Sequence, residues 1–221
     1  MSERARVAVI IPALNEALTI GAVIQVAVQS PLVDEVLVVS DGSTDGTADI
    51  ARRAGATVLE HAENIGKGET MLTGIQHTQA SVLVFLDADL LGFTEAHLAE
   101  LIEPVLRKNC SMQIGICERG HFLTPLLRFL PHISGQRALH RSVLERMPER
   151  FYRGFMIEAM LNASCAVVGG TCRVTILRGL TFRRKYEKVG WPRAVVQYLQ
   201  MISQVLCAYL AICVAKVVRT F

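Results

Sequence analysis

Several protein classes are excluded by what the chain lacks. None of its six cysteines (Cys110, Cys117, Cys165, Cys172, Cys207 and Cys213) forms a CxxC pair, and no histidine stands at zinc-ligand spacing from one. Most lie in apolar stretches and read as buried free thiols, which suits a reducing cytoplasm. The opening MSERARVAVIIP has too short an apolar run for a signal peptide and leads straight into a strand-like segment. No internal repeat and no low-complexity linker interrupts the 221 residues, which argues for one domain. No P-loop is present: Asn64-Ile65-Gly66-Lys67-Gly68 lacks both the upstream glycine spacing and the Ser or Thr after the lysine. No nucleic-acid partner is expected.

The composition is 51% hydrophobic and the mean hydropathy is +0.36, high for a soluble enzyme and contrary to global disorder. The formal net charge of +3 hides an asymmetry. Residues 1–109 hold 7 Lys and Arg against 15 Asp and Glu, a net −8; residues 110–221 hold 16 against 5, a net +11. An acidic half suits a bound cation, and a basic half suits a phosphorylated substrate or an anionic membrane face. Scattered surface charge would read the same way.

The first 90 residues alternate between strand and helix patterns. Arg6–Ile11, Glu35–Val39, Thr57–Leu59 and Ser81–Leu86 read as strands, and Ala17–Ser30, Thr47–Ala54 and Gly68–Thr78 as helices. Repeated βα units predict an α/β, Rossmann-like, mostly parallel central sheet flanked by helices. Beyond Asp89, Thr94–Arg107 is a helix with Thr94 as N-cap and His97 in its first turn. Ser111–Ile116 and Arg173–Arg178 read as strands, Phe155–Ser164 as a helix, and 118–135 as irregular.

Chemistry concentrates at the strand ends. Asp87-Ala88-Asp89 follows VLVFL, and two carboxylates leaving a buried strand are costly unless a cation pairs with them. Oxygen ligands of this kind suit Mg²⁺ or Mn²⁺, with positions left for phosphate oxygens. Asp41-Gly42-Ser43-Thr44-Asp45-Gly46 follows another apolar strand; Asp41 can accept from a nucleobase or ribose, while Thr44 and Asp45 can equally cap the next helix. Pro12-Ala13-Leu14-Asn15-Glu16 leaves the first strand, and Glu16 either reaches the same nucleoside or favours a helix dipole. The glycines flanking Lys67 suit a diphosphate or base contact.

VIIPALNE, VVSDGSTDGT, NIGKGE and VLVFLDADL occur in this order over residues 6–92. Together they resemble the family 2 glycosyltransferases with the type A nucleotide-sugar fold, and in detail the dolichyl-phosphate mannosyltransferase and glucosyl-3-phosphoglycerate synthase groups. The resemblance implies a nucleotide-sugar donor bound by Pro12, Ala13, Leu14, Asn15, Glu16, Asp41, Ser43, Lys67, Asp87, Ala88 and Asp89, with Mg²⁺ or Mn²⁺ on Asp87 and Asp89. The second half is similar more loosely. Ser134-Gly135-Gln136-Arg137-Ala138 matches an acceptor-side loop in which Arg137 grips a phosphate through its planar fork. Glu158, just inside a helix, is an acceptor-site candidate for general base. Arg119, Ser134, Gly135, Gln136, Arg137 and Glu158 form the acceptor set, and Asp89, Glu158 and Arg137 the catalytic set. Two positions depart from the relatives: Leu91 and Phe182 stand where a Gln and a metal-binding His are common, and neither ligates a cation.

The boundaries expected are a transferase domain over 1–192, split into a donor half (1–109) and an acceptor half (110–192), followed by an apolar helix over 193–221. Within that last segment Ala194–Ala215 is a run of 22 residues without a charge. Gln197, Gln200 and Gln204 share one face, and Arg193, Lys216 and Arg219 bracket the run. This suits membrane contact at the inner face, a homodimer seam, or plain core. The expected activity is transfer of a sugar from a UDP- or GDP-sugar to a phosphate-bearing acceptor such as polyprenyl phosphate, in the cytoplasm. A soluble glucosyl-3-phosphoglycerate synthase-like enzyme and a silent nucleotide-sugar-binding scaffold are the rivals.

Overall fold

The computed structural model describes residues 4–117, 134–144 and 156–182. Seven strands form one sheet in the order β3-β2-β1-β4-β7-β6-β8. These are β1 (Val7–Ala13), β2 (Glu35–Asp41), β3 (Thr57–His61), β4 (Val82–Phe85), β6 (Met112–Cys117), β7 (Arg137–His140) and β8 (Cys172–Leu177). Six run the same way; β7 is antiparallel to both β4 and β6. A separate two-residue ribbon pairs β5 (Leu90–Leu91) with β9 (Thr181–Phe182).

Alternation along the strands builds two cores. Val7, Val9 and Ile11 of β1 face one layer with α1 (Ile20–Gln29), α2 (Thr47–Arg53) and α4 (Glu95–Leu106). Ala8 and Ile10 face the other, with α3 (Lys67–Gln76) and α5 (Met156–Val167). Strands buried on both faces read as continuous apolar runs, which is why they are legible in the sequence.

Strand β1 continues past Pro12, where the apolar pattern suggested a stop. The Ile10 carbonyl accepts from Leu86 at 3.2 Å, so the imide nitrogen of Pro12 points toward the same side, beyond the end of β4. No ladder bond is lost there, and proline is tolerated. The Thr94 cap is confirmed: its hydroxyl accepts from the His97 amide at 3.4 Å and its own amide donates to His97 Nδ1 at 3.2 Å. Arg137 and Ala138, expected in the acceptor-side loop, instead open an interior strand, Arg137–His140. Among the described residues no helix is long and apolar enough to cross a membrane. Ala194–Ala215, Arg119 and the Phe155 helix start lie outside the described residues.

Candidate active site

The motif loops leave the sheet at the carboxyl ends of β1, β2 and β4 and at the start of α3, the edge where open α/β sheets bind ligands. They hold one another in sequence. Asn15 has φ 55°, a left-handed conformation that Asn tolerates. Its amide donates to Ser43 Oγ at 3.1 Å, and its side-chain oxygen accepts from the Thr44 amide at 2.9 Å. The Glu16 amide donates to Thr47 Oγ1 at 2.9 Å. Ser43 Oγ also reaches the Ala13 carbonyl at 3.4 Å. Pro12 and Ala13 therefore end the strand, and Leu14, 40% exposed, stands at its rim.

Asp41 is buried and its carboxylate faces inward. Oδ1 accepts from the Ile65 amide at 2.9 Å and meets His61 Nδ1 at 3.1 Å; Oδ2 accepts from the Gly66 amide at 3.0 Å. The second motif thereby clamps the third. Gly42, at φ +72°, makes this possible: a Cβ there would stand 2.7 Å from the Asn64 amide nitrogen. No side chain fits between the two loops.

Clamping the loop sets Lys67 at the first position of α3, and its Nζ lies 2.8 Å from both Asp87 Oδ1 and Glu158 Oε1. Glu158 comes from α5, 91 residues along the chain. Burial disfavours the Lys67 charge, but the two carboxylates outweigh it and raise its pKa well above the ordinary lysine value. Burial likewise pushes Asp87 up, while Lys67 first and then Gln136 and Arg137 hold its carboxyl below the usual range. Gln136 Nε2 donates to Asp87 Oδ2 at 2.6 Å. The Gln136 oxygen in turn meets Ser134 Oγ at 2.8 Å, which fixes the amide's orientation. Gly135 lets Asp87 lie flat on the backbone: an added Cβ would come within 2.3 Å of both carboxylate oxygens. Ala88 is buried.

One expectation is corrected by this geometry. Arg137 is 0% exposed. Its Nε and Nη2 donate to the Ser134 carbonyl at 3.1 and 2.6 Å, and its Nη1 to the Glu158 carbonyl and Asn162 Oδ1 at 3.1 and 3.2 Å. All three nitrogens are committed to protein acceptors, so the guanidinium does not present its fork to an acceptor phosphate. It ties β7 to α5 and so places Glu158. Asp87 accepts from Lys67 and Gln136 and keeps a side chain 30% exposed, so a cation there would share its oxygens with both donors.

Asp89 is partly exposed and leads directly into the β5–β9 ribbon. There Leu90 pairs with Phe182 and Leu91 with Thr181. The two departures noted in the sequence thus sit on facing strands beside Asp89. Among the described residues no three His, Cys, Asp or Glu side chains gather as a metal site. Asp89 with phosphate oxygens and water fits Mg²⁺ or Mn²⁺, ions that keep several non-protein ligands. A groove of about 640 Å³ lies elsewhere, between α4 and β8, lined by Glu100, Glu103, Arg107, Arg173 and Thr175. None of the motif residues enters it. Arg119 lies outside the described residues.

A mostly parallel sheet with acidic and glycine-rich loops at one edge defines the type A nucleotide-sugar-binding architecture. The chain belongs to the glycosyl transferase family 2, whose pattern it matches over residues 8–173. It is 34% identical over 109 residues to a glucosyl-3-phosphoglycerate synthase of Mycolicibacterium smegmatis, covering 45% of this chain and 36% of that protein. It is 37% identical over 87 residues to a 4,4'-diaponeurosporenoate glycosyltransferase of Staphylococcus aureus, covering 37% of this chain and 23% of that one. The matched stretches thus span little more than a third of those relatives at most. The crystal structure of glucosyl-3-phosphoglycerate synthase from Mycobacterium tuberculosis, in complex with Mn²⁺, UDP-glucose and phosphoglyceric acid, superposes with a TM-score of 0.77 at 26% identity, covering 95% of this chain and 80% of that one.

Proposed function

We propose that this chain transfers a hexose from a uridine diphosphate sugar, UDP-glucose in the first instance, to a phosphate-bearing acceptor. The observation that carries the reading is Lys67, fixed between Asp87 of the donor half and Glu158 of the acceptor half. A permanently charged ammonium at the junction of the two halves suits a reaction whose leaving group is a diphosphate. Likeness to a synthase crystallised with UDP-glucose and phosphoglyceric acid supports the donor and the acceptor class.

In this reading an acceptor oxygen attacks the anomeric carbon, the bond to the diphosphate breaks, and the nucleoside diphosphate leaves. An attacking phosphate oxygen, as in polyprenyl phosphate, is already ionised near pH 7 and needs no strong base; an attacking hydroxyl, as in phosphoglycerate, gives up its proton to the departing diphosphate. Glu158, buried and paired with Lys67, then orients that lysine rather than taking a proton. Asp41, Glu16 and Leu14 border the nucleoside end, and Gln136 holds Asp87. A divalent cation held by Asp89 would neutralise charge on the diphosphate.

The test is calorimetric titration of UDP-glucose and GDP-mannose, each with and without Mn²⁺, into wild type and Asp89→Asn, followed by product analysis with 3-phosphoglycerate. Metal-dependent UDP-glucose binding that Asp89→Asn weakens at least tenfold is expected, the scale of losing a metal-site carboxylate. Folded protein that binds neither donor would overturn the reading. A second reading, transfer to polyprenyl phosphate at a membrane face, is favoured by the 22-residue charge-free run at 194–215. It predicts that anionic vesicles carrying polyprenyl phosphate sediment the full chain; a dimer seam instead predicts twice the chain mass in solution.

A further inference from the structure

The geometry points to His97 as a positioning residue for the donor end of the site, a role that rests on the function proposed above. His97 is 8% exposed and uses both ring nitrogens. Nδ1 accepts from the Thr94 amide at 3.2 Å, so it carries no proton there. Nε2 then carries the proton and donates to the Arg178 carbonyl at 2.9 Å, 81 residues along the chain. One neutral ring thus joins the start of α4 to the turn between β8 and β9.

That turn is held where it matters. Residues 178–180 lead directly into β9, whose Phe182 pairs with Leu90, the residue after Asp89. Packing on either side agrees with a clamp. A Cβ on Gly92 would stand 3.1 Å from the Gly179 carbonyl, and Phe93 stacks on His97 with ring centroids 6.2 Å apart. The ribbon itself has two residues in each strand and is too short to be stable alone. Its position beside Asp89 therefore depends on anchors outside it: Leu90, Leu180 and Phe182 pack into the core, and His97 adds a side-chain hydrogen bond to the turn. A helix cap needs an acceptor at this position and nothing more; the second bond, to Arg178, has no role in capping.

Three variants separate the two bonds. Glutamate at the third helical position is an ordinary capping-box acceptor but donates nothing to a carbonyl. Glutamine accepts and donates, and is the conservative replacement. Thr94→Ala weakens the cap from its other side and leaves the Arg178 bond intact. Two readouts apply: hydrogen exchange over 90–91 and 178–182, which needs no ligand, and UDP-glucose affinity with Mn²⁺.

His97→Glu is expected to lose ribbon protection and bind donor about fivefold more weakly, the worth of one net hydrogen bond. His97→Gln is expected to stay within about twofold of wild type on the same scale. Thr94→Ala should lower the melting temperature while leaving both ribbon protection and donor affinity in place. If His97→Glu keeps the ribbon protected, or loses protection without losing affinity, the proposal is overturned and His97 is only a cap. If His97→Glu does not fold, His97→Gln and Thr94→Ala decide: donor affinity weakened equally in both overturns the proposal, and affinity kept in both supports it. A wild type that binds no donor overturns the proposed function instead, and with it the site that His97 is held to position; the exchange data still report whether the clamp exists.

Discussion

Replacing Lys67 with methionine removes the ammonium and keeps most of the stem. Two charge-assisted hydrogen bonds of 2.8 Å are lost. At about 1.5–3 kcal/mol each, the gross loss is about 3–6 kcal/mol. Water recovers part of it at Asp87, whose side chain is 30% exposed, but little at Glu158, which is 4% exposed. The net expectation at pH 7 is about 2–4 kcal/mol, at the lower side of the range for breaking a buried pair. For a chain of this size that is a fall in Tm of about 5–15 °C. The pH dependence is more diagnostic than the magnitude. In wild type the raised Lys67 pKa contributes stability that is fully present below the ordinary lysine value of about 10.4. The lowered Asp87 pKa contributes stability present above about 3.9 and lost as pH falls further. The wild-type contribution is therefore flat from about pH 5 to 9. In Lys67→Met, two carboxylates that shared one cation face each other, the folded state takes up a proton more readily than the unfolded chain, and the deficit shrinks as pH falls from 8 to 5. Urea unfolding midpoints of both proteins at pH 5, 6, 7 and 8 measure this. A deficit below about 1 kcal/mol, or one unchanged across the series, would refute the account.

Gly135→Ala is expected to push Asp87 off its seat, because the new methyl would stand 2.3 Å from both oxygens. A loss of about 1–3 kcal/mol in thermal unfolding should accompany at least tenfold weaker donor binding by calorimetry. Arg137→Met leaves the Ser134 and Glu158 carbonyls and Asn162 without their donor and should cost about 3–5 kcal/mol in chemical denaturation. Arg137→Lys restores the charge but not the fork, so it should recover less than half of that loss.

The first half of the fold is legible because β1, β2 and β4 are apolar on both faces and each ends in a chemically marked loop. The second half is less so, and β7 shows why. Its sequence, Arg-Ala-Leu-His, starts with a charge that normally marks surface, yet Arg137 is fully buried. Its acceptors are carbonyls and an amide brought in by α5 and the 134 turn, partners that no local pattern announces. The same holds within the site. The residue types at Asp41, Lys67, Asp87 and Glu158 are visible as motifs, but their division of labour is not. That Asp41 holds a loop, that Asp87 spends itself on Lys67 and Gln136, and that Gly135 is a seat for a carboxylate are facts of packing between segments up to 91 residues apart. Leu91 and Phe182 stand out in sequence as departures from relatives; that they lie on facing strands emerges only from the ribbon.

The lone reversed strand also dictates an order of events as the chain is made. Strands β4 and β6 are synthesised before β7, yet β7 lies between them. They must leave a vacant slot rather than zip together. Until residues 137–140 arrive, one side of the apolar VLVF strand is an unpaired edge, the kind of surface that recruits other chains. The insertion that closes this edge also carries Gln136 to Asp87, so one step covers the β4 edge and adds one partner to the site. A nascent chain arrested before β7 would expose that edge and lack both Gln136 and Glu158; one arrested just after it would still lack Glu158 and the β8 partner of β6.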